Sequence, residues 1–157
     1  MGLEIERKFL VRDMSVLDGV RGIVFRQGYL STEPERSVRV RRSGDRAFVT
    51  IKGITGPSGA SRAEFEYPIP VEDADAMLDQ LAVKPVIEKT RYRVHAGGRL
   101  WEIDVFAGVN DGLVVAEVEL PTEDAVVAVP SWAGDEVTGD PRYYNVNLVA
   151  HPYRDWA

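Results

Sequence analysis

Three charged side chains stand two residues apart at the start of the chain: Glu4, Glu6 and Lys8 in LEIERKFLV (3–11). In an extended strand they share one face, leaving Ile5, Arg7 and Phe9 on the other. The grouping recurs. Arg39 and Arg41 oppose Val38 and Val40, and Thr50 and Lys52 oppose Val49 and Ile51. Arg62, Glu64 and Glu66 oppose Ala63, Phe65 and Tyr67. Lys89, Arg91 and Arg93 align, although Ile87 shares their parity and blurs the division. Glu102 and Asp104 oppose Trp101, Ile103 and Val105, and Glu117 and Glu119 oppose Ala116, Val118 and Leu120. The rows hold eight acids and eight bases, with serine, asparagine and glutamine nearly absent. Clustered carboxylates suit hard divalent cations such as Mg²⁺ or Mn²⁺, and rows of arginine and lysine match phosphate oxygens. Two such ions would add about four positive charges against the roughly four or five negative charges of a triphosphate. The set fits a metal–polyphosphate complex, with Glu4 and Glu6 on metal and Lys8 on phosphate or the adjacent water.

These rows need strands to carry them. Turn signals divide the first 120 residues into runs at 3–11, 22–31, 36–42, 46–53, 61–69, 86–94, 99–106 and 112–120. SGD (43–45), AGG (96–98) and NDG (110–112) read as hairpin turns, and GITGPSGAS (53–61) as a longer, mobile hairpin loop. Helices are few. VEDADAMLDQLA (71–82) carries acids in its first turn and an apolar stripe of Val71, Ala74, Met77, Leu78 and Leu81. TEDAVVAV (122–129) offers Thr122 as a cap, and DPRYYNVNL (140–148) offers Asp140 with Pro141 at the first helical position. A short helical turn fits near 13–20.

Eight hairpin-linked strands predict a mainly β fold with a few helices: an antiparallel sheet whose closure into a barrel removes its edges. An eight-stranded barrel has room for side chains or one small ligand. A wet-faced open sheet explains any single strand, but sixteen charges of such restricted type favour an interior lining, with the apolar faces packed outward under the helices. Buried charge is costly unless paired, metal-bound or neutralised by ligand, so a charged tunnel reads as a binding site.

Bulk properties exclude much else. The 157 residues suit one domain spanning 1–157, with ordinary proportions of hydrophobic (45%) and charged (28%) residues. No cysteine is present, which removes disulfides, thiolate metal sites and cysteine nucleophiles. His95 and His151 lack metal-ligand spacing. A net charge of −6 argues against general nucleic-acid binding. No run resembles a signal peptide or membrane span, and Glu6 stands where myristoylation expects Ser or Thr, so a cytoplasmic protein is expected. The glycines of 53–59 lack the Gly-Lys-Ser/Thr ending of a P-loop.

Taken together, EIERK (4–8), QGYL (27–30), SVRVR (37–41), TIK (50–52), RAEFE (62–66), IEKTR (87–91), EIDVF (102–106) and AEVEL (116–120) resemble the CYTH superfamily, the triphosphate tunnel metalloenzymes. WAGDEVTGDPRYYNVNL (132–148) is similar to the tail of its short bacterial members. The resemblance implies an eight-stranded tunnel that hydrolyses or rearranges linear triphosphates with Mg²⁺ or Mn²⁺, and the charge balance above suits two ions. It implies metal ligands at Glu4, Glu6, Asp104, Glu117 and Glu119, with Glu64, Glu66 and Glu102 as further candidates. Lys8, Arg39, Arg41, Lys52, Lys89 and Arg91 would grip phosphates, and the C-terminal helix with Tyr143 and Tyr144 would cover a tunnel mouth.

No histidine is placed to act as a base; Lys89 near Tyr29 is the candidate, with Lys8 beside the attacking water. Inorganic tripolyphosphate is the expected substrate, because the chain is short and shows no nucleoside pocket. Thiamine or nucleoside triphosphate hydrolysis, cyclisation of ATP and a non-catalytic polyphosphate-binding module are the alternatives. The expected partner is this small polyanion, with no nucleic acid or membrane, and a homodimer is left open.

Overall fold

The computed structural model describes residues 3–156. Among the described residues there are nine strands: β1 (Leu3–Val11), β2 (Ile23–Ser31), β3 (Ser37–Ser43), β4 (Arg46–Lys52), β5 (Ser61–Pro68), β6 (Ile87–Ala96), β7 (Arg99–Phe106), β8 (Val114–Glu119) and β9 (Ala133–Glu136). Two α-helices accompany them, α1 (Val71–Gln80) and α2 (Asn145–Ala150). The strands run in the order β5-β4-β3-β2-β6-β7-β8-β1-β9, and β5 also pairs with β1, which closes eight of them into an antiparallel barrel.

β1 is the closing strand, and its free edge is shared. Leu3, Glu4 and Ile5 pair with Ala63, Arg62 and Ser61 of β5, while Phe9 and Val11 pair with Glu136 and Ala133 of β9. Between these ladders the Glu6 amide donates to Ala60 O (2.9 Å) and the Lys8 amide to Thr138 Oγ1 (2.9 Å). The edge is thereby satisfied along its length. The loop before β5 docks at this seam. Gly59, at φ +78°, lies so close to Gly139 that a Cβ on it would sit 2.5 Å from the Gly139 Cα.

The apolar faces turn outward, and cover is uneven. Val40 and Ala47 pack beneath Ala74 and Leu78 of α1. Gly28 admits this helix and the residues just after it: a Cβ there would meet Leu78 Cδ2 at 3.1 Å and Ala82 Cβ at 2.8 Å. α1 stops at Gln80, so Leu81, expected in the stripe, falls outside it and is exposed. Phe9, Trp101, Ile103 and Val118 form a second outer layer. Phe65 and Tyr67 on β5 remain exposed, so the expected apolar exterior is covered only in part.

The second layer shows where helix reasoning failed. Residues 122–129, expected to be helical, make one turn and then run without regular structure. Thr122 does not cap a helix; its hydroxyl donates to Asp124 Oδ1 at 2.7 Å. Ala125 and Val127 pack inward while Val126 and Ala128 are exposed, a period-two arrangement that suits an extended strap over Trp101. The 140–148 helix is divided. Asp140 Oδ1 accepts from the Arg142 amide (3.1 Å) and starts a 3₁₀ turn over Pro141–Tyr143, extended Tyr144 interrupts it, and α2 follows. Near 13–20 a 3₁₀ turn spans Met14–Leu17, capped by Asp13. β9 is an addition that the sequence did not announce.

Candidate active site

The inward rows converge on a cavity of about 470 Å³ lined by nine basic and seven acidic side chains. Lining residues include the expected Glu4, Glu6, Lys8, Tyr29, Arg39, Arg41, Lys52, Glu64, Glu66, Lys89, Arg91, Glu102, Glu117 and Glu119. Asp104 is not among them. Both its oxygens face cations: Oδ1 and Oδ2 accept from Arg91 Nε and Nη2 at 2.7 and 2.8 Å, and Lys89 Nζ lies 2.7 Å from Oδ2. The sequence suggested a metal ligand here; the structure gives it two buried cations as partners.

Strand register explains how carboxylates gather. Glu6 on β1 lies opposite Glu119 on β8, and Glu117 lies between Lys8 on β1 and Glu102 on β7. Burial and the facing Glu117 and Glu4 push the Glu6 carboxyl up to about 8. Burial, then a hydrogen bond to Glu4, pushes Glu64 up to about 7. Glu119 is also raised by burial and by Glu4 and Glu102. Glu4 stays ionised well below the usual carboxylate range: burial opposes this, but Lys52 (2.9 Å) and Arg62 (3.7 Å) overcome it. Glu117 is likewise lowered against its burial by Lys8 and Arg91.

The donor set therefore suits a hard cation, since a divalent ion relieves the mutual repulsion of Glu4, Glu6, Glu117 and Glu119. Among the described residues no three such side chains already converge as a ligand set. Mg²⁺ commonly keeps waters and takes one or two carboxylates with substrate phosphates, so a converged protein cage is unnecessary.

The cations line the same cavity. Arg41 and Arg91 place their guanidinium groups over one ring, Phe25, at 4.9 and 4.8 Å from its centroid. Arg41 is held down to about 9 by burial and by Arg39 and Arg91. Lys52 is lowered by burial and Arg39. Lys89 is brought down to about 7: burial removes water from its ammonium, Asp104 opposes, and Arg91 and Arg41 add repulsion. Lys89 Nζ also donates to Asn145 Oδ1 at 2.9 Å.

One end of the barrel is filled by Tyr29, Ile87, Phe106, Val115, Val137, Tyr143, Leu148 and Val149. Ile87 thus belongs inside, as its parity with Lys89 requires, at the depth where α2 enters. Tyr143 joins this plug, as expected of a residue covering a tunnel mouth. Tyr144 instead places its ring near Lys8 Nζ (5.4 Å) and Arg62 (5.9 Å).

Phe25, Gln27 and Asn145 were missed. Phe25 and Gln27 share the parity of Tyr29 on β2, so alternation alone could have found them. Nothing in the pattern of the tail singles out Asn145.

The CYTH domain profile matches residues 2–153. The chain is 49% identical to an inorganic triphosphatase of Acetivibrio thermocellus, over 99% of each chain. It is 42% identical to one of Nitrosomonas europaea, over 93% of this chain and 96% of the other. It also superposes on a crystal structure of an inorganic triphosphatase with a TM-score of 0.66, at 39% identity and 93% coverage of both chains. With the tunnel, its inward charged rows and a match along nearly its whole length, the chain belongs to the CYTH family.

Proposed function

We propose that this protein is a metal-dependent inorganic triphosphatase that hydrolyses tripolyphosphate to pyrophosphate and phosphate. The observation carrying this reading is the lining of the cavity. Its apolar members are few, chiefly Tyr29, Leu100 and Val146, so the walls offer phosphate and cation ligands rather than a nucleoside slot. The names of the relatives at 49% and 42% identity support the same substrate.

Glu4, Glu6, Glu117 and Glu119 would hold Mg²⁺ or Mn²⁺, with Glu64, Glu66 and Glu102 at the margin. The bound ions supply charge neutralisation and a more acidic water. Arg39, Arg41, Lys52 and Arg91 bind the phosphoryl oxygens, and their fixed charge stabilises negative charge as it develops. Lys8, beside Glu117 (3.9 Å), orients phosphate or water. Lys89 Nζ accepts the proton of the attacking water, with Tyr29 beside the same cavity; an amine brought down to about 7 is uncharged often enough at neutral pH. Asp104 orients Lys89 and Arg91 rather than binding metal, because both its oxygens are engaged.

The test is a phosphate-release panel with tripolyphosphate, ATP, GTP and thiamine triphosphate, with Mg²⁺, Mn²⁺ or chelator. A strong preference for tripolyphosphate that chelator abolishes is expected. Preferred release from an organic triphosphate, cyclic AMP from ATP, or tight polyphosphate binding without turnover would each overturn the assignment.

A further inference from the structure

Lys89 is held from two sides. Asp104 Oδ2 takes its Nζ at 2.7 Å, and Asn145 Oδ1 takes it at 2.9 Å. Lys89 and Asn145 both line the cavity, whereas Asp104 does not.

The orientation of the Asn145 amide is dictated by a chain of partners. The Arg41 guanidinium can only donate, and its Nε donates to Gln27 Oε1 at 3.0 Å. Gln27 must therefore turn its Nε2 the other way, where it donates to Asn145 Oδ1 at 2.8 Å. Asn145 must then present oxygen, and the same oxygen receives Lys89. Gln27 is fully buried, so no water competes for this relay.

We propose that Asn145 is a positioning residue for Lys89: with Asp104 it occupies two of the three free tetrahedral directions of Nζ and leaves the third toward the tunnel. The proposal rests on the triphosphatase reading in which Lys89 receives the proton. A neutral amine has two N–H bonds and one lone pair. With both N–H bonds spent on Asp104 and Asn145, the lone pair is what remains for the attacking water. α2 is therefore more than an apolar stopper: its first residue reaches into the reaction centre, while Leu148 and Val149 hold the helix in the barrel end.

The experiment is a mutant cycle on tripolyphosphate hydrolysis with saturating Mg²⁺ or Mn²⁺. Asn145→Ala is expected to lower kcat about 10- to 100-fold, less than loss of a general base itself, with KM within about threefold. In a Lys89→Met background, Asn145→Ala should lower kcat no further. Val149→Ala is the control: it loosens α2 without touching the amide, so the melting temperature falls while kcat well below it is unchanged. An Asn145→Ala variant that behaves like Val149→Ala, or that costs the same kcat with and without Lys89, overturns the proposal. A wild-type protein that turns over another triphosphate instead refutes the substrate assignment, and the cycle is read on that substrate. If no triphosphate is turned over, the crystal structure of metal-free Asn145→Ala decides. Displacement of Lys89 Nζ supports the positioning role, and an unmoved Nζ overturns it.

Discussion

Asp104→Asn separates a cation anchor from a metal ligand. The residue is 1% exposed and its side chain carries three charge-assisted contacts, two from Arg91 at 2.7 and 2.8 Å and one from Lys89 at 2.7 Å. Asparagine keeps the shape but removes the charge, and it turns an NH₂ toward groups that themselves donate. Breaking a buried pair in this way costs about 3–5 kcal/mol. For a domain of this size each kcal/mol lowers Tm by about 2–4 °C, so the metal-free variant should melt about 6–20 °C below wild type. The assay is calorimetry of both proteins in chelator, repeated with tripolyphosphate. The ligand returns negative charge beside Arg91 and Lys89, so its stabilising shift should be larger in the variant. A metal-free Tm within about 2 °C of wild type, with the loss confined to metal-induced stabilisation, would refute this reasoning and return Asp104 to the metal site.

Three further outcomes follow from burial, parity and charge. Val40→Lys puts an ammonium under α1, where Val40 is fully buried, and should cost several kcal/mol (about 2–5), whereas Arg41→Leu should fold and lose turnover; denaturation and kinetics on both check this, and robust turnover by Arg41→Leu would place Arg41 outside the tunnel. Glu6, pushed up to about 8, is protonated at pH 6.5, so divalent binding should release about one proton, seen as buffer-dependent heat in titration calorimetry and lost in Glu6→Gln. With Lys89 near 7, kcat/KM should rise about tenfold per pH unit below 7 and level above it, a limb missing in Lys89→Met. The same shift fixes a stability sign. Folding disfavours the Lys89 proton, so the penalty is full below about 7 and fades as pH rises toward the ordinary lysine value of 10.5.

Alternation made the charged rows legible in the sequence because side-chain direction in a strand is a local property of period two. Thirteen of the fourteen expected site side chains named above on the cavity wall needed no more than that rule and the choice of inside over outside. All eight barrel strands and α1 follow from similarly local signals, and so does the Asp140 turn. What locality could not supply was partners. Asp104 and Glu102 share one face of β7, yet Asp104 lies opposite Arg91 and Glu102 opposite Arg93, and only the first is sealed from the cavity. Residues 122–129 have acceptable helix composition, but the layer over Trp101 accepts them only as an extended strap. Asn145 is one polar residue in a short tail, and it acquires meaning only when α2 enters the barrel and meets Lys89 and Gln27 across more than fifty residues of chain. The sequence by itself determined which residue types line the tunnel; the tertiary structure decided which charges neutralise one another and which are left facing each other, because that depends on barrel closure and register between strands far apart in the chain.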